Sequence, residues 1–253
     1  MVAQVISRLS QCVDLDHQDR KELERLCSRA KLVPAKRYAM GAADRTVSPI
    51  VLSGWVARFQ ILRNGARQIT SLMLPGDVGH LGPAATCEGD EFITLCPSEI
   101  ALVDQGELDE LMKARPQIAE SLHRTEQAQL ALISSWVVNV GRRNAFERMA
   151  HFICETYHRM AAIGEATGGS FYFPLTQDDL ADVLSLTPVH TNRKLQQLRR
   201  ERLISLQSRQ MTILDQHALR GAADFDPGYL DPFDRVPRPE KLAEKGISNP
   251  LYC

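Results

Sequence analysis

One stretch constrains this chain more than any other: Leu175-Thr-Gln-Asp-Asp-Leu-Ala-Asp-Val-Leu-Ser-Leu-Thr-Pro-Val-His-Thr-Asn-Arg-Lys-Leu-Gln-Gln-Leu198. Thr176 can cap a helix that carries Asp179 in its first turn, where an acid complements the helix dipole. Leu180, Val183 and Leu184 give that helix one apolar face. Ser185-Leu186-Thr187 makes a tight turn. Thr187 then caps a second helix, with Pro188 at the first helical position, where a missing N–H costs nothing. Two short helices joined by a three-residue turn form the helix-turn-helix layout.

The second helix sorts its own faces. Thr191, Leu195 and Leu198 follow helical spacing and should pack inward, which turns Val189, Asn192, Arg193 and Gln196 outward. That outer face offers an apolar tip, two amides and a guanidinium. Such groups match a thymine methyl, an adenine edge and a guanine edge in the major groove. Leu203-Ile-Ser-Leu-Gln and Gln210-Met-Thr-Ile-Leu then flank Ser208-Arg209, reading as a hairpin wing whose basic tip, Arg209, suits a phosphate. The chain's net charge of −1 hides six basic residues and one acid between Thr187 and Arg209. A local excess of that sign is what phosphate contact needs. A helical hairpin with a solvated basic face is the plain alternative, but it does not account for caps, inward triad and wing in this order.

The whole chain, at 253 residues, suits two domains. Residues 5–30 read as an amphipathic helical lead-in, marked by Leu9, Leu23 and Leu26. From Lys31 to about Asp104 short strands dominate. A run from Ile50 to Leu62 ends at Asn64-Gly65, a strong hairpin signal, and Pro75-Gly76-Asp77 breaks the strand that follows. Such strands with Gly and Pro turns suggest a barrel, roll or sandwich. From Pro116 the pattern becomes helical, with Ile118, Leu122, Leu132, Ile133, Trp136, Val137 and Val140 near helical spacing. Ile118, Leu122, Ile133, Trp136 and Val140 are therefore expected to join two copies along a dimerisation helix, although a plain core helix is the competing reading and Thr125 and Gln129 interrupt the seam. Gly141-Arg142-Arg143 should break it, and Asn144 with Glu147 should cap the next helix. The expected units are 1–115 (sensor-type, β-rich, with the lead-in), 116–141 (dimerisation helix), 142–223 (winged helix-turn-helix) and 224–253 (a Pro-rich tail).

No apolar run reaches membrane-spanning length, and the start lacks a signal-peptide layout, so a cytoplasmic protein with no membrane partner is expected. Cys12, Cys27, Cys87, Cys96, Cys154 and Cys253 are scattered, without metal-type clustering. No cofactor, metal site or catalytic residue is implied.

These residues resemble the Crp/Fnr superfamily of bacterial transcription regulators over about Leu32 to Leu230. The strongest parts are Leu175 to Ala181, Leu186 to Arg193 and Leu203-Ile204; Val51-Leu-Ser-Gly54 and Leu74-Pro-Gly-Asp77 resemble the family's β-roll strands and turn. The resemblance implies an α+β chain: a β-roll (double-stranded jelly-roll-like) domain, a long dimerisation helix and a C-terminal winged helix-turn-helix. It implies a homodimer on double-stranded DNA at a palindromic operator and, for an activator, RNA polymerase as a further partner. By position, Arg193 matches a base-reading arginine, Val189 and Asn192 match specificity positions, and Thr176, Gln177, Thr187 and His190 match phosphate contacts. The effector pocket would involve Gly76, Asp77, Gly79, His80 and Leu81, but His80 falls where cyclic-nucleotide binders place Glu. No Arg lies from Gly76 to Val103, and a buried phosphate without a cation is costly. The effector is thus unknown or absent. The alternatives are a cyclic-nucleotide-responsive or a haem- or thiol-redox-responsive regulator on the same scaffold, and last a cupin-like metalloenzyme. The enzyme lacks clustered ligands, since His80 is the sole His between Lys31 and Glu110.

Overall fold

In a computed structural model of the chain, residues 2–40, 46–79 and 90–230 are described. The helical lead-in consists of two helices, α1 (Ala3–Ser10) and α2 (His17–Cys27). The break has a local cause: Asp16 caps α2 in a reciprocal box with Asp19, and a capping residue stands outside the helix it starts. The strands β1 (Lys31–Val33), β2 (Tyr38–Met40), β3 (Val47–Ser53), β4 (Val56–Ile61), β5 (Arg67–Met73), β6 (Glu91–Thr94) and β7 (Ser98–Asp104) follow. They form two antiparallel sheets, β1-β7-β3 and β2-β6-β4-β5. The β-favouring run from Ile50 to Leu62 is split between the two sheets at Gly54, whose φ of +78° and closeness to Ser98 leave no room for a Cβ. β4 and β5 pair from Val56↔Met73 to Ile61↔Arg67 around the Asn64-Gly65 turn.

Next come α3 (Gln105–Ala114), α4 (Pro116–Arg142) and α5 (Ala145–Ala162). α4 runs straight through Gly141, and the chain turns only at Arg143 and Asn144, where Asn144 and Glu147 cap each other as expected. Then β8 (Ala166–Thr167), β9 (Ser170–Tyr172), α6 (Gln177–Leu184), α7 (Pro188–Arg200), β10 (Ile204–Gln207), β11 (Gln210–Ile213) and α8 (Gln216–Ala223) complete the C-terminal unit, with the sheet order β10-β11-β9-β8. Beyond α8, Phe225 and Leu230 are buried, and the Tyr229 hydroxyl donates to Glu155 at 2.6 Å, so residues 224–230 pack on the body rather than opening a tail.

The two ends of the chain share a core. Trp55 meets the edge of Phe173 at 6.0 Å, and Phe59, Ile69 and Leu72 continue into Phe152, Phe171 and Leu198. Burying each such side chain is worth about 1.5–3 kcal/mol. A buried ion pair fixes the same junction: Arg159 of α5 reaches Asp77 at 2.6 Å and the Leu72 carbonyl at 2.9 Å.

Three of the five residues expected at the dimer seam are covered by the protomer itself. Ile118, Leu122 and Trp136 are buried inside their own protomer, the first two against Leu9, Ile50 and Val103, the third against the aromatic core. Ile133 and Val140 are half-buried. The polar residues that seemed to interrupt the seam also face inward: Thr125 donates to the Ser121 carbonyl, and Gln129 donates to the Val78 carbonyl at 2.7 Å. A different stripe is exposed. His123, Gln127, Leu130, Ser134, Val137 and Gly141 are all solvent-facing, with Leu130 at 62% and Val137 at 64% exposure.

Candidate nucleic-acid interface

The helix-turn-helix assembles from its caps. The Thr176 hydroxyl accepts from the Asp179 N–H, and the Thr187 hydroxyl accepts from the His190 N–H. α6 ends at Ser185, whose left-handed φ of +53° turns the chain tightly into α7. Leu180, Val183 and Leu184 of α6 are buried, as are Thr191, Leu195 and Leu198 of α7. Burial of that triad rotates the opposite face outward. Val189 is 65% exposed, Arg193 and Gln196 are exposed, and Asn192 is half-buried.

Asn192 and Gln177 are joined: the Asn192 amide donates to Gln177 Oε1 at 2.9 Å. This ties the start of α6 to the outer face of α7, so a candidate phosphate contact and a candidate base contact lie side by side. Thr187 and His190 are both exposed at the start of α7. The Thr187 hydroxyl accepts the capping bond and keeps its own proton for a further acceptor. Thr176 is exposed but differently engaged, since its N–H and its hydroxyl both donate to Asp179 Oδ2, at 2.9 and 2.7 Å. The open donors of that first turn are the N–H groups of Gln177 and Asp178, which have no intrahelical partner.

The wing is β10 and β11, paired from Ile204↔Ile213 to Gln207↔Gln210. Its tip, Ser208-Arg209, has φ of +48° and +61°, the primed-turn geometry that closes a two-residue hairpin. That geometry is unfavourable without glycine, and strain of this kind concentrates at working surfaces. Arg209 is exposed there.

The candidate effector residues fall elsewhere. Gly76 packs on Arg8 and Gln4, and Gly79 on Pro49. Asp77 is buried and paired with Arg159. His80 and Leu81 lie outside the described residues.

Sequence reasoning missed what the β-roll brings to α6. Lys36 donates to both oxygens of Asp179 at 2.7 and 2.6 Å. Arg67 reaches Asp182 at 2.6 Å and Asp179 at 3.2 Å. Gln68 donates to the Asp182 carbonyl at 2.7 Å, and the Ser185 hydroxyl donates to Gln68 at 2.8 Å. Burial pushes the Asp179 carboxyl up, but the hydrogen bonds from Lys36 and Thr176 outweigh it and hold the group below its ordinary value. No local pattern links positions 36 and 67 to 179 and 182, so the sequence carries no signal for this contact.

Comparison with known proteins agrees with this arrangement. Residues 147–222 match the family described as the Crp-like helix-turn-helix domain. The transcriptional activatory protein AadR of Rhodopseudomonas palustris is 26% identical over 213 residues, covering 82% of this chain and 86% of that protein. The anaerobic regulatory protein of Pasteurella multocida is 26% identical over 216 residues, covering 85% and 79%. The structure of FixK2 from Bradyrhizobium japonicum shares the fold, with a TM-score of 0.64 at 23% identity over 76% of this chain and 96% of that one. An antiparallel N-terminal roll, a long helix and a Crp-like helix-turn-helix domain occur here in one chain, which is similar in sequence to these transcription regulators and shares the fold of FixK2.

Proposed function

We propose that the protein is a homodimer that reads a palindromic operator through α7. Val189, Asn192, Arg193 and Gln196 contact base edges, and Gln177, Thr187, His190 and Arg209 contact phosphates. Thr176 acts mainly by capping α6, because both its donors already serve Asp179. The observation that carries this reading is the split of α7 into a buried triad and an outward face that carries Val189, Asn192, Arg193 and Gln196.

The dimer forms along the outer stripe of α4. His123, Gln127, Leu130, Ser134, Val137 and Gly141 alternate four and three residues apart, the spacing of a two-stranded coiled coil. Residues 1–115 serve as the sensor-type unit, 116–141 as the dimerisation helix and 142–223 as the DNA-binding unit, with 224–253 following it. The protein works in the cytoplasm, as a regulator rather than an enzyme, and RNA polymerase is its further partner where it activates.

Two of the buried thiols, Cys27 and Cys154, are unsuited to a redox signal. Burial pushes the Cys27 and Cys154 thiols up to about 12, which keeps them protonated and unreactive. Selection of bound duplexes from a random pool, followed by footprinting, tests the whole reading. It should return a two-fold symmetric site with half-site centres about one helical turn apart. A site without two-fold symmetry overturns the dimeric part.

A further inference from the structure

α6 presents a problem to any DNA-binding role. Its sequence, Gln-Asp-Asp-Leu-Ala-Asp-Val-Leu, carries three carboxylates and no base. This helix packs directly against α7 and is hydrogen-bonded to its outer face through Gln177 and Asn192. A helix of that charge beside a polyanion would repel it unless its carboxylates were neutralised, because buried Asp179 and half-buried Asp182 are screened by salt less than exposed charges are.

The cancelling charges come from the other end of the chain. Lys36 sits in the turn between β1 and β2, held by its N–H to the Thr94 carbonyl at 2.8 Å. Its φ of +59° is the left-handed region, unfavourable for lysine. From there its ammonium covers both oxygens of Asp179. Arg67 starts β5, lies 5.5 Å over the Phe59 ring, and reaches Asp182 and Asp179. Among the described residues these are the cations set against the two carboxylates. Asp178, the third acid, remains solvent-facing.

We propose that Lys36 and Arg67 of the N-terminal unit belong to the DNA-binding surface, as positioning residues that cancel the charge of Asp179 and Asp182 on α6. Operator affinity then depends on the β-roll being docked, even though α7 alone reads sequence. The contact makes the N-terminal unit part of the DNA-facing electrostatics directly, and not only through α4. This rests on the reading that α6 and α7 face DNA.

The test is equilibrium binding of a fluorescent operator duplex by the full-length protein and four variants: Arg67→Gln, Asp182→Asn, the double variant of these two, and Lys36→Gln. Thermal melting is run on each to confirm folding. Arg67→Gln should weaken binding about three- to tenfold at 0.05 M salt, with the deficit shrinking as salt rises. Asp182→Asn, which removes an acid, should bind at least as well as wild type. The double variant should return to within about twofold of wild type, because the uncovered carboxylate is gone. Lys36→Gln should behave like Arg67→Gln, with the larger loss since Asp179 is the nearer acid to Gln177. If the contact is only a mechanical brace, the double variant stays as weak as Arg67→Gln at every salt concentration, and the proposal is overturned. A wild-type protein that binds operator and scrambled duplex equally overturns the DNA-facing reading instead, so the two failures are distinct.

Discussion

Arg193 and His151 show how differently one side chain can matter. Arg193 stands exposed beside Asn192 on α7, where a planar guanidinium can grip a guanine through two hydrogen bonds. Arg193→Ala should leave melting unchanged while removing about 1–3 kcal/mol of base discrimination per half-site; competition between operator and scrambled duplex reads this, and an unchanged ratio refutes the role. His151 does the opposite kind of work. It is 1% exposed, stacked on Tyr229 and edge-on to Phe225. Burial, with a smaller push from Arg143, lowers its pKa to about 4. A depressed folded value means the unfolded chain binds the proton more tightly. Stability from this site is therefore present above the unfolded value near 6.5 and is lost as pH falls toward 4, by about 3 kcal/mol. His151→Phe should flatten that part of the pH–stability curve, and a slope equal to wild type between pH 6.5 and 4 contradicts the assignment. The outward face of α7 was legible in the sequence because helical spacing alone separates Thr191, Leu195 and Leu198 from Arg193. The grip of Lys36 on Asp179 was not, since it spans more than half the chain and follows no period.

Elements were easier to find than to orient. Caps at Asn144, Thr176 and Thr187 and the turn at Ser185 fall where the sequence puts them, because capping and turn chemistry is local. α4 was also legible as a helix, but which of its faces the protomer covers was not. It has one apolar stripe for its own protomer and a second, weaker one facing out, and periodicity finds stripes without saying what covers them. The stronger stripe is covered by the protomer itself, which buries its best hydrophobic residues and leaves the weaker one to solvent. The two faces make separable predictions. Ile118→Ala, at a site with no exposure, should cost about 2–5 kcal/mol of stability while the folded protein stays dimeric. Val137→Glu should barely change protomer melting but shift sedimentation toward a single chain of 28.3 kDa. A Val137→Glu variant that remains dimeric at micromolar concentration would falsify the outer seam.

At the scale of the whole molecule, the β-roll, α4 and the helix-turn-helix act as one packed object. The aromatic core runs from Trp55 to Phe173, Arg159 is buried against Asp77, and the β-roll cations hold α6. This leaves few cations for an anionic effector. No Arg or Lys lies from Gly76 to Val103; Arg67 is directed to Asp182 and Arg58 lies 3.9 Å from Asp90. Titration calorimetry should accordingly detect no micromolar binding of cyclic AMP or cyclic GMP, and binding that also raised DNA affinity would show that another cation serves the phosphate. Recognition of DNA itself is tested by one titration: full-length protein against its selected operator and a scrambled duplex of equal length, at one fixed salt concentration. The operator should win by about 10³-fold or more, as it does for specific regulators, with Arg193→Ala losing most of that margin. Equal affinity for the two duplexes, or a margin untouched by Arg193→Ala, would contradict it.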